Sequence, residues 1–443
     1  MARINEPVFQ IHDSTIKVLE DHEVPHESTA GSLSSKISLL LFYLHLIVVG
    51  TLISYLTIRG IISGTNDHRK NLLLHFYPPL LTSSLLSALI AFLCQLATRR
   101  KPFKTLKTVF WLSPLLTCAV GFFLLAIGTA GSFICSAIAF ISAVIQSLYG
   151  CWVTPRIEYA AKILAVSQAA PVSKATSCLT VSLLVGWSYS AIAVLGLGWI
   201  TQIQTRVDPV YFAIILLSLA WTMHVIRNTL CVAISRPIYA HFTGAMSFDT
   251  RVLLKDTVKL SLGSICIGSV LVPVNVVFRG LARAMSQIAG DTDEFMFSCA
   301  SCYAGVADRV ILYGNRWGFV HVGAFGKGFV RGSIDTWKMM EQNGMISLID
   351  SDLTATFCFL CGVAGGSVCT LVSGSWALTV HKDFATQVSV YAFLIGYFIV
   401  RIAMSWIQAC VSAYHVAYAK NPMSSQFGAT IHGRILELQK SQV

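Results

Sequence analysis

From Ile37 to Val411 the sequence returns repeatedly to apolar runs long enough to cross a hydrocarbon core, which takes about 20 helical residues. The runs cover 37–58, 72–97, 109–130, 132–154, 175–199, 209–234, 258–280, 295–315, 353–376 and 385–411, about ten in all. The eighth departs from the rest because Asp308 and Arg309 lie inside it. Only 12% of the residues are charged, against about 25% in a soluble domain. The expected fold class is therefore all-α: a polytopic helical membrane protein of about ten transmembrane helices with short interfacial helices. Residues 1–36 are polar and have no positively charged stretch leading into a cleavable apolar segment. They are expected to be a disordered cytosolic tail, with 37–411 as the transmembrane domain and 412–443 as a cytosolic C-terminal tail.

Lys and Arg in short loops are retained on the cytoplasmic side. Arg99, Arg100, Lys101, Lys104 and Lys107 follow the second span, and Arg236, Arg251 and Lys255 follow the sixth. Lys327, Arg331 and Lys338 after the eighth, and Lys420, Arg434 and Lys440 in the tail, agree with them in an even-span count. Both termini are expected in the cytosol. This distribution, with attraction to an anionic leaflet, accounts for the net charge of +11, and no nucleic-acid partner is expected.

The thirteen cysteines sit almost entirely inside spans, where a thiol packs as a small apolar group. Two pairs have C-x-x-C spacing, Cys299 with Cys302 and Cys358 with Cys361, but no His flanks either at ligand spacing, and no metal is expected. Soluble-enzyme motifs are missing too. The GAFGK of 323–327 lacks the spacing and the following Ser or Thr of a phosphate-binding loop. Gly362, Gly365 and Gly366 lie within an apolar span and read as helix contacts. No cofactor and no enzymatic activity are expected.

SLGSICIGSVLVPVN, residues 261–275, is apolar yet peppered with small residues. Lipid supplies little hydrophobic drive between helices, so they associate by close van der Waals contact, which small residues three and four apart permit. Ser261, Ser264 and Gly268 form such a face, with Gly263 and Cys266 beside it. Pro273 then removes a backbone hydrogen bond, predicting a break with Asn275 next to it. Two readings follow: a packing seam, or an interrupted helix facing a solute path.

SLGSICIGSVLV at 261–272, HVIRN at 224–228 and YGNRWGFVHVGAFGKGF at 313–329 resemble signature segments of the eukaryotic choline transporter-like family. Cys299, Cys302, Tyr313, Asn315, Arg316, Gly326, Lys327 and Phe329 fall in the family's order. RIEYAAKILAVSQAA at 156–170 is similar to its interfacial helix, and AYAKNP at 417–422 to the element closing its last span. The resemblance covers roughly the C-terminal two thirds. It implies ten spans, cytosolic termini, and transport of choline or a related organic amine. The chain departs from the pattern at His224, where the family has Gln, and at Lys420 and Asn421, where it has acidic residues.

A quaternary ammonium has a permanent charge and no N–H donor, so aromatic faces are its natural partners. Trp187 and Tyr189 on the fifth span, Trp221 on the sixth, and Tyr391 and Trp406 on the last lie at mid-membrane depth. Trp111, Trp152 and Trp199 read as interfacial belt residues. Polar partners for the hydroxyl end are His224, Asn228, Ser264 and Asn275; His224 and Asn228 share a helix face, with Trp221 one turn before. Arg401 stands in the middle of an apolar run, where an unpaired charge is costly, and Asp308 lies at comparable depth; the two are expected to pair. The segments 156–166 and 327–345 are amphipathic and expected along the cytoplasmic surface, bracing the spans.

The sequence therefore reads as a secondary carrier or facilitator for choline or a similar small organic cation. It works by alternating access in the lipid bilayer, of the plasma membrane or alternatively of endomembranes. Its rivals are a non-transporting scaffold or lipid-trafficking protein of the same fold, favoured by an aromatic-free interior, and a membrane-embedded enzyme, favoured by converging His or carboxylates.

Overall fold

The computed structural model describes residues 29–63, 75–169, 175–202, 207–244, 253–289, 310–345, 348, 352–380, 382–422, 427 and 429–440. Among these, α1 (Thr29–Ser63), α2 (Tyr77–Arg100), α3 (Pro102–Ile127), α4 (Ala130–Val153), α5 (Ile157–Gln168), α6 (Ala175–Gln202) and α7 (Asp208–Thr243) form the first part of the bundle. They are followed by α8 (Leu253–Ala289), α9 (Gly318–Phe325), α10 (Phe329–Gln342), α11 (Thr354–Val380), α12 (Ala385–Lys420) and α13 (Ala429–Lys440), and no strand occurs among the described residues. The chain is an all-α, multi-pass membrane protein, with nine helices among the described residues long and apolar enough to cross a membrane. The expected span 295–315 lies, apart from its last residues, outside the described residues, as does Asp308.

Local sequence explains the joints. Gly128 takes φ +80°, a left-handed turn that only glycine adopts without strain. Thr129 then caps α4, exchanging hydrogen bonds with Ser132 in a capping box. Pro102 starts α3 directly after Lys101, making α2 and α3 a tight hairpin. Pro155 sits in a short 3-10 turn, Thr154–Arg156, that sets α5 off from α4.

The expectation of a break in the seventh span is corrected: α8 runs continuously from Leu253 to Ala289 through Pro273. A proline deletes one backbone bond, and a helix in a packed bundle continues past it where neighbours fix its two halves. α1 already starts at Thr29, so residues 29–36 of the expected tail are helical, and the rest of that tail lies outside the described residues. The last span is longer than its apolar run, because α12 continues to Lys420.

α12 is the axis of the bundle, packed by α11, α7, α2, α6 and α5. Its seam with α11 is built from glycines. A Cβ on Gly366 would lie 2.8 Å from the Phe393 carbonyl oxygen, and one on Gly396 would lie 2.9 Å from the Gly366 Cα. The glycines of the apolar span are helix contacts, as their setting implied.

The two amphipathic segments lie against this bundle. α5 buries Ile157, Ala161 and Leu164, one face of a helix, toward α3 and α12, while Glu158 and Lys162 pair at 3.0 Å on its exposed face. α10 buries Phe329, Gly332, Ser333, Thr336 and Met340 against α9, α8 and α12. The Y-x-N-R and G-K-x-F residues hold this corner together. Asn315 donates through Nδ2 to the Ser333 carbonyl at 2.7 Å and accepts from the Gly318 N–H at 3.1 Å. Lys327 pairs with Asp335 at 2.7 Å, and Phe329 packs on Phe319.

His321 of α9 is buried under α10, with Nδ1 2.7 Å from the Thr336 hydroxyl. That hydroxyl has one proton, which it donates to the Gly332 carbonyl at 2.6 Å, so it accepts from a protonated Nδ1. Burial first, then the positive charge of Lys327, lower the His321 pKa, Asp335 opposes them and Lys420 adds to the lowering; the result is about 4 against an ordinary 6.5. A histidine depressed in the folded state stabilises fully above its unfolded pKa, and that contribution is lost as pH falls through the folded value. The thermal midpoint in detergent is expected to fall between about pH 6.5 and pH 4, and His321→Gln is expected to remove that slope. An unchanged slope in the variant would assign it to another group.

Candidate functional site

α7 carries the residues that point to a site. Trp221 meets α1, where its ring lies 4.5 Å from that of His45 and 5.5 Å, edge-on, from that of Phe42. One turn earlier on α7, Ser218 joins the cluster to α6: its hydroxyl is 2.5 Å from Tyr189 Oη and 2.9 Å from His45 Nε2. Thr222 Oγ1 stands 3.5 Å from the same nitrogen.

The proton order follows from the acceptors. His45 Nδ1 is 2.7 Å from the Phe42 carbonyl, an acceptor only, so Nδ1 carries the hydrogen. In the neutral ring Nε2 then accepts from Ser218, and Ser218 accepts from Tyr189. The network is complete with no net charge. Trp221, His45 and Tyr189 are half-buried, so the cluster is not sealed. Trp221 Nε1 is buried without a hydrogen-bond partner, which leaves one donor unused beside the rings of Phe42 and His45.

The other residues singled out from sequence are dispersed around α7 and α8. His224 meets the last span, its ring edge-on to Phe398 at 6.3 Å. Asn228 donates through Nδ2 to Ser269 of α8 at 2.9 Å. Ser264 Oγ lies 3.4 Å from Ser35 Oγ of α1, and Asn275 Nδ2 donates to the Gly314 carbonyl at 3.1 Å. A Cβ on Gly268 would come within 2.7 Å of both Phe319 and Phe329, so this face of α8 is a packing seam against α9 and α10. Trp221, His224 and Asn228 share a helix face in projection, yet each meets a different neighbour.

Trp187 lies on another side of α6 from Tyr189. It is 38% exposed and lines a separate cavity of about 320 Å³ with Tyr77, Ser84, Ser190 and Ile395. Tyr391 packs on Phe76 and Phe212, and Trp406 lies under the Arg99 guanidinium at 5.2 Å, so both are core residues. Trp111 and Trp152 are exposed on the bundle surface, as belt residues are.

Arg401 is buried in the bundle interior, its stem seated on Gly362, where a Cβ would lie 2.7 Å from Arg401 Cγ. Its expected pairing with Asp308 falls outside the described residues. Among the described residues no group of three or more His, Cys, Asp or Glu gathers to hold a metal ion.

Phe42 and His45 were not legible as site residues. They lie in the first apolar run, whose average hydropathy hides a single imidazole; the usable signal was a histidine one helical turn after a phenylalanine at mid-span.

The model of a family described as plasma-membrane choline transporter matches residues 137–423. The chain is similar to protein PNS1 of Gibberella zeae, 25% identical over 223 residues, which are 47% of this chain and 41% of that protein. It is similar to protein PNS1 of Cryptococcus neoformans, 26% identical over 174 residues, 37% of this chain and 32% of that protein. A CTL-like protein of Dictyostelium discoideum is 21% identical over 240 residues, 53% of this chain and 42% of that protein. The chain thus matches less than half the length of each of these relatives. The family match takes in Tyr189, Trp221 and Arg401 and leaves out Phe42 and His45.

Proposed function

The chain belongs to the choline transporter-like family, and from that premise we propose that it is a secondary carrier or facilitator for choline or a related organic amine. The observation that carries this reading is the half-open aromatic cluster of Phe42, His45, Tyr189 and Trp221. An ammonium against such faces gains about 0.5–2 kcal/mol per ring, and the unused Trp221 N–H can meet the hydroxyl end of the ligand. Three helices, α1, α6 and α7, contribute to the cluster, so their relative movement would open it to one side or the other. Aromatic rings in the interior also speak against a non-transporting scaffold.

The chain carries no phosphate-binding loop, so the driving force in this reading is the substrate gradient and the membrane potential. In this reading that end of the bundle faces the cytosol, supported by the basic cluster from Arg99 to Lys107 at the α2–α3 hairpin. With the even number of spans that the sequence leads one to expect, both termini lie in the cytosol, and the plasma membrane is the proposed site of action. No catalytic role is proposed.

Uptake of radiolabelled choline into proteoliposomes, with an inside-negative potential, tests the reading. Saturable uptake is expected, reduced about tenfold or more by Trp221→Ala, the equivalent of about 1.4 kcal/mol, and changed less than about twofold by Trp187→Ala. No uptake above empty liposomes, for choline and a panel of small amines, would overturn it.

A further inference from the structure

A cavity of about 450 Å³ lies where α9 and α10 meet the end of α12, and it shares no residue with the Trp221 cluster. Its wall carries His321, Phe325, Lys327, Asp335, Asn343 and Lys420. The Phe325 ring is the centre of that wall. Lys420 Nζ stands 4.8 Å from the ring centroid and Lys327 Nζ 6.0 Å. The His321 and Tyr239 rings hold it in place, at 4.9 Å and 5.2 Å. Asn343 fixes the position of Lys420, because its Nδ2 donates to the Met339 carbonyl at 2.8 Å and to the Ala419 carbonyl at 2.9 Å, tying the end of α10 to the end of α12.

Asp335 pairs with Lys327 at 2.7 Å, and among the described residues no carboxylate pairs with Lys420. The wall therefore holds two ammoniums and one carboxylate, an excess of positive charge in a concave site, which favours an anion. Each ammonium has three donors, and Lys327 spends one of them on Asp335. A phosphate monoester fits that supply, with a charge of about −1.5 to −2 at pH 7 and three strong acceptor oxygens. His321 adds a second requirement. Its Nδ1 is committed to Thr336, so the neutral ring has only Nε2 left for a ligand, as an acceptor. That nitrogen suits a hydroxyl on the ester's alcohol, and Met339 gives the same wall an apolar side. The volume falls within the range of about 300–1,000 Å³ that small-molecule sites occupy.

We propose that this cavity binds the phosphate monoester of a polyol, with its phosphate between Lys327 and Lys420 and a hydroxyl on His321. The site goes beyond the transport reading and stands apart from the aromatic cluster. In the topology proposed above, this end of the bundle faces the cytosol, which offers such esters both as free solutes and as lipid headgroups. A bound ester joins α9 and α10 to α12 across the cavity, adding to the tie that Asn343 makes, so binding stabilises the fold.

The test uses the purified full chain in nanodiscs whose total surface charge is matched with phosphatidylserine. The probes are phosphatidylinositol 4-phosphate, phosphatidylinositol, the soluble headgroup inositol 1,4-bisphosphate, and inorganic phosphate. Binding to the 4-phosphate, as lipid or as headgroup, is expected to be about tenfold or more tighter than to phosphatidylinositol. Lys420→Gln and Lys327→Gln are expected to erase that preference, while Lys104→Gln, which removes the same charge from the α2–α3 hairpin, changes it less than about twofold. Asp335→Asn is expected to tighten binding by about threefold or more, because it removes the opposing carboxylate and frees a Lys327 donor. Lys420→Gln breaks no ion pair, so its thermal midpoint without ligand is expected to match wild type, and it separates loss of binding from loss of fold.

Headgroup binding as tight as that of the lipid supports the site with a soluble ester as its ligand, and a lysine-dependent preference seen only with the lipid supports it with a membrane headgroup. Equal binding of the 4-phosphate and phosphatidylinositol would overturn the proposal, as would a preference that survives both lysine substitutions in the cavity. A loss in Lys104→Gln as large as in Lys420→Gln would overturn it too, by showing attraction to surface charge alone. Inorganic phosphate binding as tightly as the headgroup would overturn the polyol assignment, and weaker binding in Asp335→Asn would overturn the placement of the phosphate beside Lys327.

Discussion

Asp352→Asn is expected to destabilise the protein by about 3–5 kcal/mol, the cost of breaking a buried ion pair and leaving one charge behind. Asp352 is paired with the Arg316 guanidinium, His415 Nδ1 approaches at 3.9 Å, and both partners are largely withdrawn from solvent. Its Oδ1 accepts the Thr354 N–H at 2.9 Å and so caps the start of α11. Asparagine keeps that cap and removes only the charge, so the loss isolates the ion pair. The effect is read as the midpoint of thermal or denaturant unfolding in detergent. Arg316→Gln in the Asp352→Asn background is expected to restore part of the loss, since the stranded cation is then gone. A shift below about 1 kcal/mol would mean the pair behaves like a surface contact.

The acid dependence carries a second check. Burial raises the Asp352 pKa, but the Arg316 charge, then His415 and the bonds from Thr354, outweigh it and hold the carboxyl below its ordinary value. A carboxylate depressed in the folded state stabilises above its unfolded pKa, and the contribution disappears as pH falls through the folded one. Wild-type stability is therefore expected to drop again below about pH 4, beyond the His321 limb, and Asp352→Asn is expected to lack that drop.

Gly366→Leu is expected to prevent correct assembly. α11 and α12 approach so closely that Gly366 and Gly396 are opposed, and a Cβ on Gly366 would also lie 2.9 Å from the Phe393 ring. A backbone carbonyl cannot rotate out of the way as a side chain can. Overpacking costs about 1–3 kcal/mol for one added group, the range expected for Gly366→Ala, and an isobutyl group forces the two central helices apart. The monodisperse fraction on fluorescence-detected size exclusion is expected to fall by about tenfold or more, given that the seam holds the axial helix of the bundle. Gly50→Ala is the matched control, because nothing lies within 4 Å of the added methyl group. A normal elution profile for Gly366→Leu would show that the two helices can separate at this seam without loss of the fold.

The membrane fold could be read from the chain because lipid imposes it residue by residue. Each span must satisfy its backbone internally and stay apolar for about 20 residues, a local requirement that Ile37 to Val411 displays openly. The small residues at Gly268 and Gly366 were equally legible as contacts, since close helix packing in lipid calls for them. The family signature around Asn315 and Arg316 could be recognised, but not what those residues do. Only the fold brings Asp352, far along the chain, against Arg316.

The site depended on the fold in the same way. Periodicity placed Trp221, His224 and Asn228 on one side of a helix, but α7 is ringed by neighbours, so a shared side does not mean a shared partner. Trp221 went to His45 of the first span, His224 to Phe398 of the last, and Asn228 to Ser269. His45 and Phe42 are separated from Trp221 by most of the first half of the bundle, and no local pattern records that distance. Sequence alone determined which segments are apolar enough to cross the membrane, and that they cross as helices, because the bilayer acts on each segment separately. Tertiary structure decided which rings and charges face one another, because those pairings are set by the packing of every helix at once.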